Sequence, residues 1–384
     1  MADAYITGAG AFLPGPPVDN DGMEDVIGRI GGRASALGRR ALAWNGVETR
    51  HYAIDADGTP RHDNAEMAAR AVAAALDAAG VRAGALSFLA TATTQGDLLV
   101  PGHASAVHAA LAGLGEPVGA LELASFQSVC ASALMAMKAA MLQVKAGETD
   151  CAAVVGSELS SRWFRPAFYE DTALLDAKGR APIEAEFLRW TLSDGAGAVL
   201  VEPQPRPGLA FRIDWIDLVS YAERFDVCMW AGARKDERFE LANAWSVRGP
   251  GRAFAEGAIA LQQDFDLLKP IIRAWVARYL ELVEAGRIDP GAVDHVLCHY
   301  SAESLRREIV ALLEAAGAMI PEERWFSNLK TKGNTGAAAI FIMLEEVRRA
   351  RAIAPGDRIL CVVPESGRAM VGFMMLTAEE GAGG

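Results

Sequence analysis

The chain has 384 residues, of which 51% are hydrophobic and 22% charged, and it carries a formal net charge of −12. This composition supplies a large core and excludes a disordered chain, while the acidity argues against nucleic acid or an anionic membrane surface as partner. Five scattered cysteines without metal-type spacing, no basic and apolar leader after Met1, and no apolar run of spanning length lead to three expectations: a cytoplasmic protein, no metal and no membrane.

In chain order, Ile6–Gly10 reads as a first strand and Asn64–Ala79 as an alanine-rich amphipathic helix with Asn64 as its cap. Leu86–Ala92 reads as a strand feeding the turn Thr93–Asp97, after which Pro101 opens a second helix. The stretch Ser125–Ala140 reads as a short strand and then a helix of small residues, with Cys130 at the joint. A strand over 151–156 follows. Residues 160–190, rich in Arg, Trp, Phe and Glu, break the alternation and read as an insertion covering a site. Three prolines within Pro203–Gly208 mark the boundary between residues 1–203 and 209–384. Beyond it come a strand near 209–219, a mobile loop through 221–250, helices up to Ala285 and a strand running into His299. A helix over Ser304–Ala316, a helix opened by Asn334, and strands over 358–363 and 370–377 complete the chain. Strands and helices alternating in two halves imply a layered α/β fold.

Three element boundaries carry reactive side chains. A helix N-terminus offers partial positive charge and unpaired N–H groups, which favour a thiolate at Cys130 and make it a candidate nucleophile. His299 ends a short apolar run, and Asn334 sits in the glycine-bounded turn Gly333–Gly336. A thiolate can attack a thioester, and imidazole and amide donors can hold the enolate or oxyanion that follows. Taken singly, each has an ordinary alternative: a buried small residue, a core histidine, a turn asparagine.

Together, Cys130, His299 and Gly333-Asn334-Thr335-Gly336-Ala337-Ala338 resemble the condensing enzymes of the thiolase superfamily, specifically the ketoacyl synthase III group. Val154-Val155-Gly156-Ser157-Glu158, Ser193-Asp194-Gly195-Ala196-Gly197-Ala198-Val199 and Asn45-Gly46-Val47-Glu48-Thr49-Arg50 resemble further motifs of that group. Phe12–Asn20, Arg50–Asp55, Gly156–Ser161, Phe187–Trp190 and Pro364–Arg368 resemble one branch, the DarB/StlD-type ketosynthases associated with dialkylresorcinol and cyclohexanedione formation. Two departures stand out. Tyr300-Ser301-Ala302 follows the histidine where the group has Gln-Ala-Asn, and Glu365-Ser366-Gly367-Arg368 replaces a glycine-rich turn.

The resemblance implies a thiolase-like fold of two pseudo-duplicated βαβαβ halves in a five-layered α-β-α-β-α arrangement. The half over 1–203 carries Cys130, and the half over 209–384 carries His299 and Asn334. It implies an acyl group passed from an acyl carrier protein or coenzyme A thioester to Cys130, without a further cofactor, and condensed with a β-ketoacyl or malonyl thioester. Its branch adds closure to a cyclohexanedione or dialkylresorcinol precursor. The backbone N–H groups of Cys130 and Gly367 would form the oxyanion hole, and His299 would be the base. Glu158 reads either as an accessory in deprotonation or subunit contact or as half of a buried charge pair. Arg248 and Arg252 read either as a carrier or coenzyme A entrance or as solvated charges, as does the run Arg29, Arg33, Arg39 and Arg40. Aromatic residues Trp163, Phe164, Phe168, Tyr169, Tyr221, Phe225 and Trp230 are candidates to line a tunnel. The strand near 86–92 and the helix after Pro101 match a homodimer interface. Two alternatives remain: an acyltransferase that esterifies a hydroxyl, and a non-catalytic partner subunit.

Overall fold

Ten strands are arranged as two five-stranded units with one shared order. The computed structural model describes residues 2–115, 117–350 and 353–381. In the first unit β1 (Tyr5–Phe12), β2 (Phe88–Thr93), β3 (Glu122–Gln127), β4 (Ala152–Glu158) and β5 (Gly195–Glu202) lie in the order β3-β2-β4-β5-β1. In the second, β6 (Gly208–Ser220), β7 (His295–Cys298), β8 (Trp325–Phe326), β9 (Arg358–Glu365) and β10 (Met370–Gly381) lie in the order β8-β7-β9-β10-β6. Within each unit the second strand is parallel to the third and fourth, and the fifth is antiparallel to the fourth and first. The duplication implied by the resemblance is therefore present in strand order and direction alike. The units join edge to edge between β1 and β6, at Tyr5–Arg212 and Ile6–Phe211.

Six helices complete five layers. Helices α1 (Asn64–Ala79) and α2 (His103–Gly113) cover the outer face of the first unit, and α4 (Leu268–Glu284) and α5 (Glu303–Ala315) that of the second. Helices α3 (Ser132–Ala146) and α6 (Ala339–Arg349) lie between the two sheets. Their small and aliphatic residues, among them Ala133, Ala136, Ala140, Ile340 and Leu344, are almost wholly buried in a core that draws on both units. Helices covered on both sides cannot carry a polar face, and so α3 reads as small and apolar over most of its length.

Several local expectations change. Asp63, rather than Asn64, caps α1 by accepting the Glu66 N–H. Asn64 turns inward, its amide donating to Thr93 Oγ1 and the Gln95 carbonyl. Pro101 precedes α2 by two residues, with Gly102 at the cap position. The stretch 221–250 is no open loop: it contains a hairpin, Ala233–Lys235 against Phe239–Ala244. The strand assigned to a dimer interface, β2, is buried between β3 and β4; the free edge of the first unit is β3, whose residues are largely exposed.

Glycine permits a close backbone contact between the units. A Cβ on Gly156 of β4 would lie 2.2 Å from the carbonyl oxygen of Ala337, which leads into α6. A backbone oxygen cannot move aside without shifting the helix. Gly156→Ala should therefore destabilise the fold by about 3 kcal/mol, the upper range for overpacking, as measured by urea unfolding.

Candidate active site

The turn 128–131, between the end of β3 at Gln127 and the start of α3 at Ser132, carries Cys130. Its sulfur-bearing residue lines a cavity of about 540 Å³, together with Glu158, Asn334, Gly336, Tyr300 and Ser366. Elements of both units contribute, so the cavity exists only once the units have docked.

Asn334 is held by its backbone: its N–H donates to the Thr191 carbonyl at 3.0 Å, and its own carbonyl accepts the Ser193 N–H at 2.9 Å. Its side-chain Oδ1 accepts the Gly336 N–H at 2.8 Å, which fixes the amide and leaves the NH₂ group to donate into the cavity. His299 follows β7 directly, its N–H bound to the Val362 carbonyl of β9 at 2.9 Å. The imidazole is buried, and its Nε2 has no hydrogen-bond partner among the described residues. Burial lowers its pKa to about 4, so the ring is neutral at neutral pH. His299 itself does not line the cavity; the adjoining Tyr300 and Ser301 do.

Glu158 ends β4 and faces the same cavity. Its carboxylate accepts from Thr94 Oγ1 at 2.8 Å and from the N–H groups of Thr94 and Ala337 at 3.1 and 3.2 Å. These donors are neutral, and Glu158 makes no salt bridge among the described residues, so the charge-pair reading does not hold. Burial raises its pKa to about 7 in spite of them. Gly336 has φ +52°, and a Cβ there would lie 2.7 Å from Glu158 Oε1; the glycine makes room for the carboxylate.

The nucleophile's electrostatics differ from the expectation of a helix-stabilised thiolate. Burial pushes the Cys130 thiol well above its usual range, and the carboxylates of Glu365 and Glu158 push in the same direction. The Ala131 N–H at the start of α3 is already taken by Glu365 at 2.9 Å. Burial thus favours the neutral form of both the Cys130 thiol and the His299 imidazole.

Other candidates fall in different places. Gly367 packs against Val129 of the Cys130 turn, where a Cβ would meet Val129 Cγ2 at 2.7 Å, and its carbonyl accepts the Cys228 N–H at 2.9 Å. Arg248 and Arg252 both pair with Glu256 and lie outside the cavity lining. Of the aromatic residues singled out from the sequence, Trp163 and Trp230 line the cavity, whereas Phe164 and Tyr169 are wholly buried. Trp245 and Trp275 were missed, being far from any motif. The insertion does cover the site, through Ser160, Arg162, Trp163 and Leu188. Asp194, from one of the resembling motifs, anchors it by accepting from Ser161 and from the Ala53 N–H.

Comparison with known proteins agrees with this fold. Residues 283–375 match the family model of the 3-oxoacyl-[acyl-carrier-protein] synthase III C terminal, and residues 122–206 match the β-ketoacyl synthase N-terminal domain. Over both units, then, the chain is similar to condensing enzymes of the ketoacyl synthase III group. β-Ketoacyl-[acyl-carrier-protein] synthase III of Caulobacter vibrioides is 26% identical over 93% of this chain and 94% of its own length. The Rhodospirillum rubrum synthase III is 26% identical over 94% and 95%. Among solved structures, the tetronic acid condensing enzyme AbyA1 superposes with a TM-score of 0.74 at 24% identity, covering 97% of this chain and 99% of its own. Xanthomonas campestris OleA, solved with lauric acid and lauroyl-CoA, gives 0.72 at 18% identity over 98% and 99%. The likeness to these structures establishes the thiolase-like fold of this chain.

Two buried carboxyls of the protein make its stability pH-dependent. Glu158 is raised from about 4.5 to about 7, and Asp194 from about 3.8 to about 6. The folded chain thus binds these protons more tightly than the unfolded chain. Their contribution is fully present below about pH 4 and is lost as pH rises to 7. Glu158→Gln should remove the upper part of that slope. Urea titrations of both proteins between pH 5 and 8 should diverge, wild type losing up to about 3 kcal/mol relative to the variant.

Proposed function

We propose that this synthase takes an acyl group from a carrier-protein or coenzyme A thioester onto Cys130 and condenses it with a β-ketoacyl thioester. The supporting observation is one cavity holding Cys130, the fixed amide of Asn334, and a carboxyl at Glu158 whose pKa of about 7 suits a general base. In acylation the Cys130 sulfur bonds to the acyl carbon, the donor's carbon–sulfur bond breaks, and the thiol proton leaves with the departing thiolate. The N–H groups of Cys130 and Gly367 form the oxyanion hole.

In the second half-reaction the α-carbon of the β-ketoacyl thioester loses a proton to Glu158. His299, too weak a base at a pKa of about 4 for this task, adjoins the cavity through Tyr300 and Ser301, and in this reading its unpartnered Nε2–H reaches past them to donate with Asn334 to the thioester oxygen of the enolate. The α-carbon then bonds to the acyl carbon, whose bond to Cys130 breaks, and the sulfur regains a proton. With an α,β-unsaturated acyl group, the product closes by Michael addition to a cyclohexanedione that keeps its thioester, and water then cleaves that bond to give the carboxylate and the free carrier or coenzyme A thiol. Enolate formation by proton removal, rather than by loss of CO₂, is what a cavity-facing carboxylate of this pKa supports.

The working form is proposed to be a homodimer. Strand β3 has an unpaired edge, and Leu98, Leu99 and Val100 beside it are 61%, 74% and 81% exposed. Leu99→Asp with Val100→Asp should lower the mass found by light scattering from two chains to one.

Incubation with an α,β-unsaturated acyl thioester, then with a β-ketoacyl thioester, tests the chemistry. Intact-protein mass spectrometry should find an acyl adduct in wild type and none in Cys130→Ala. Glu158→Gln should still form the adduct but make carbon–carbon product about 10²-fold more slowly, and the wild-type condensation rate should rise with pH through a midpoint near 7. Transfer to an added alcohol without condensation would overturn the condensing assignment.

A further inference from the structure

The cavity reading leaves one buried ionisable group beside the nucleophile unused. Glu365 is the last residue of β9, the strand that also binds the His299 backbone through Val362. Its side chain is 3% exposed and reaches across the seam between the units to the turn 128–131. Oε1 accepts from Ser128 Oγ at 2.7 Å, Oε2 from the Ala131 N–H at 2.9 Å, and the Val129 N–H points to the same carboxylate. Donors from three of the four turn residues thus converge on one group, and the fourth residue is Cys130. Such a ring of N–H and O–H donors fits an ionised carboxylate, since a carboxylic proton would need an acceptor in their place.

We propose that Glu365 is a positioning residue for Cys130: it clamps the nucleophile's turn from the opposite unit and keeps a fixed carboxylate beside the sulfur. This deepens the reading above and rests on it for the role of Cys130. The clamp occupies N–H groups that would otherwise stabilise a thiolate, and its charge opposes one. The resting nucleophile is thereby held as a thiol, and it gives up its proton as the donor thioester is attacked. Other groups act alongside: Glu158 from β4, which shares the cavity with Cys130, adds negative charge, Arg162 of the insertion offsets part of the Glu158 charge, and His299, outside the cavity lining, is neutral. A sulfur kept neutral in this way is shielded from adventitious alkylation and oxidation.

The test is the pH dependence of Cys130 carboxamidomethylation by iodoacetamide, read by peptide mass mapping in the full-length protein from pH 6 to 10. Glu365→Gln keeps the size of the side chain and one acceptor oxygen but removes the charge. It should move the midpoint down by at least half a pH unit and speed labelling at pH 7 about threefold or more. Ser128→Ala keeps the charge and removes one arm of the clamp. It should leave the midpoint at or above that of wild type while slowing acylation by a saturating thioester several-fold. An unchanged midpoint in Glu365→Gln overturns the electrostatic role, and an unchanged acylation rate in Ser128→Ala overturns the clamp. Should Glu365→Gln fail to fold, the Ser128→Ala pair of measurements still decides: a lowered midpoint, or both values equal to wild type, rejects the proposal. Labelling by iodoacetamide needs no thioester. Absence of any acyl adduct on wild-type Cys130 would therefore reject the condensing reaction and leave the Glu365 result standing.

Discussion

Everything in the site depends on the contact between the two five-stranded units. At Gly156 and Gly197 the sheet approaches α6 and the segment leading into it so closely that a methyl group would strike backbone atoms of Ala337 and Ile342. That contact brings Asn334 and Gly336 onto the Cys130 cavity and delivers the Ala337 N–H to Glu158. Helices α3 and α6, sandwiched between the sheets, leave few routes for one unit to move against the other without opening the core. The reactive groups sit at strand and helix ends along this seam, where rigid elements aim them and the insertion over 160–190 limits solvent.

The electrostatic character of the site follows from its burial. Cys130, His299, Glu158 and Glu365 are each at most 6% exposed, and desolvation penalises every charged form. The imidazole is driven neutral, the thiol stays protonated, and Glu158 is brought near neutral pH. A site built this way does not store a thiolate–imidazolium pair. It holds neutral groups and fixed donors, such as the Asn334 amide, ready for charge that develops only when substrate is present.

Much of the fold could be read along the chain because the signals are local. The small residues of α3, the apolar runs of β4 and β5 and the proline-rich joint after Glu202 each follow from what neighbouring positions must do. Errors arose where a residue's partner is distant. Asn64 looks like a cap but is drawn inward by Thr93 and Gln95. Strand β2 looked available for an interface, but strands from both sides cover it. Phe164 and Tyr169 sit in the right segment for a tunnel wall, yet their side chains are buried in clusters that pack the insertion against residues such as Met23, Ile30, Tyr52 and Ala260.

By itself, the sequence determined the layered α/β class, the order of the Cys130, His299 and Asn334 segments, and the element boundaries on which each sits. These depend on turn chemistry and periodicity, which act over a few residues. Tertiary structure alone decided the protonation states and the company each group keeps. Glu365 lies 234 residues from the Ala131 N–H that it binds, and no local pattern signals that pairing. Desolvation is likewise a property of the closed cavity, not of the chain, so whether Cys130 rests as thiol or thiolate is settled only when the two units meet.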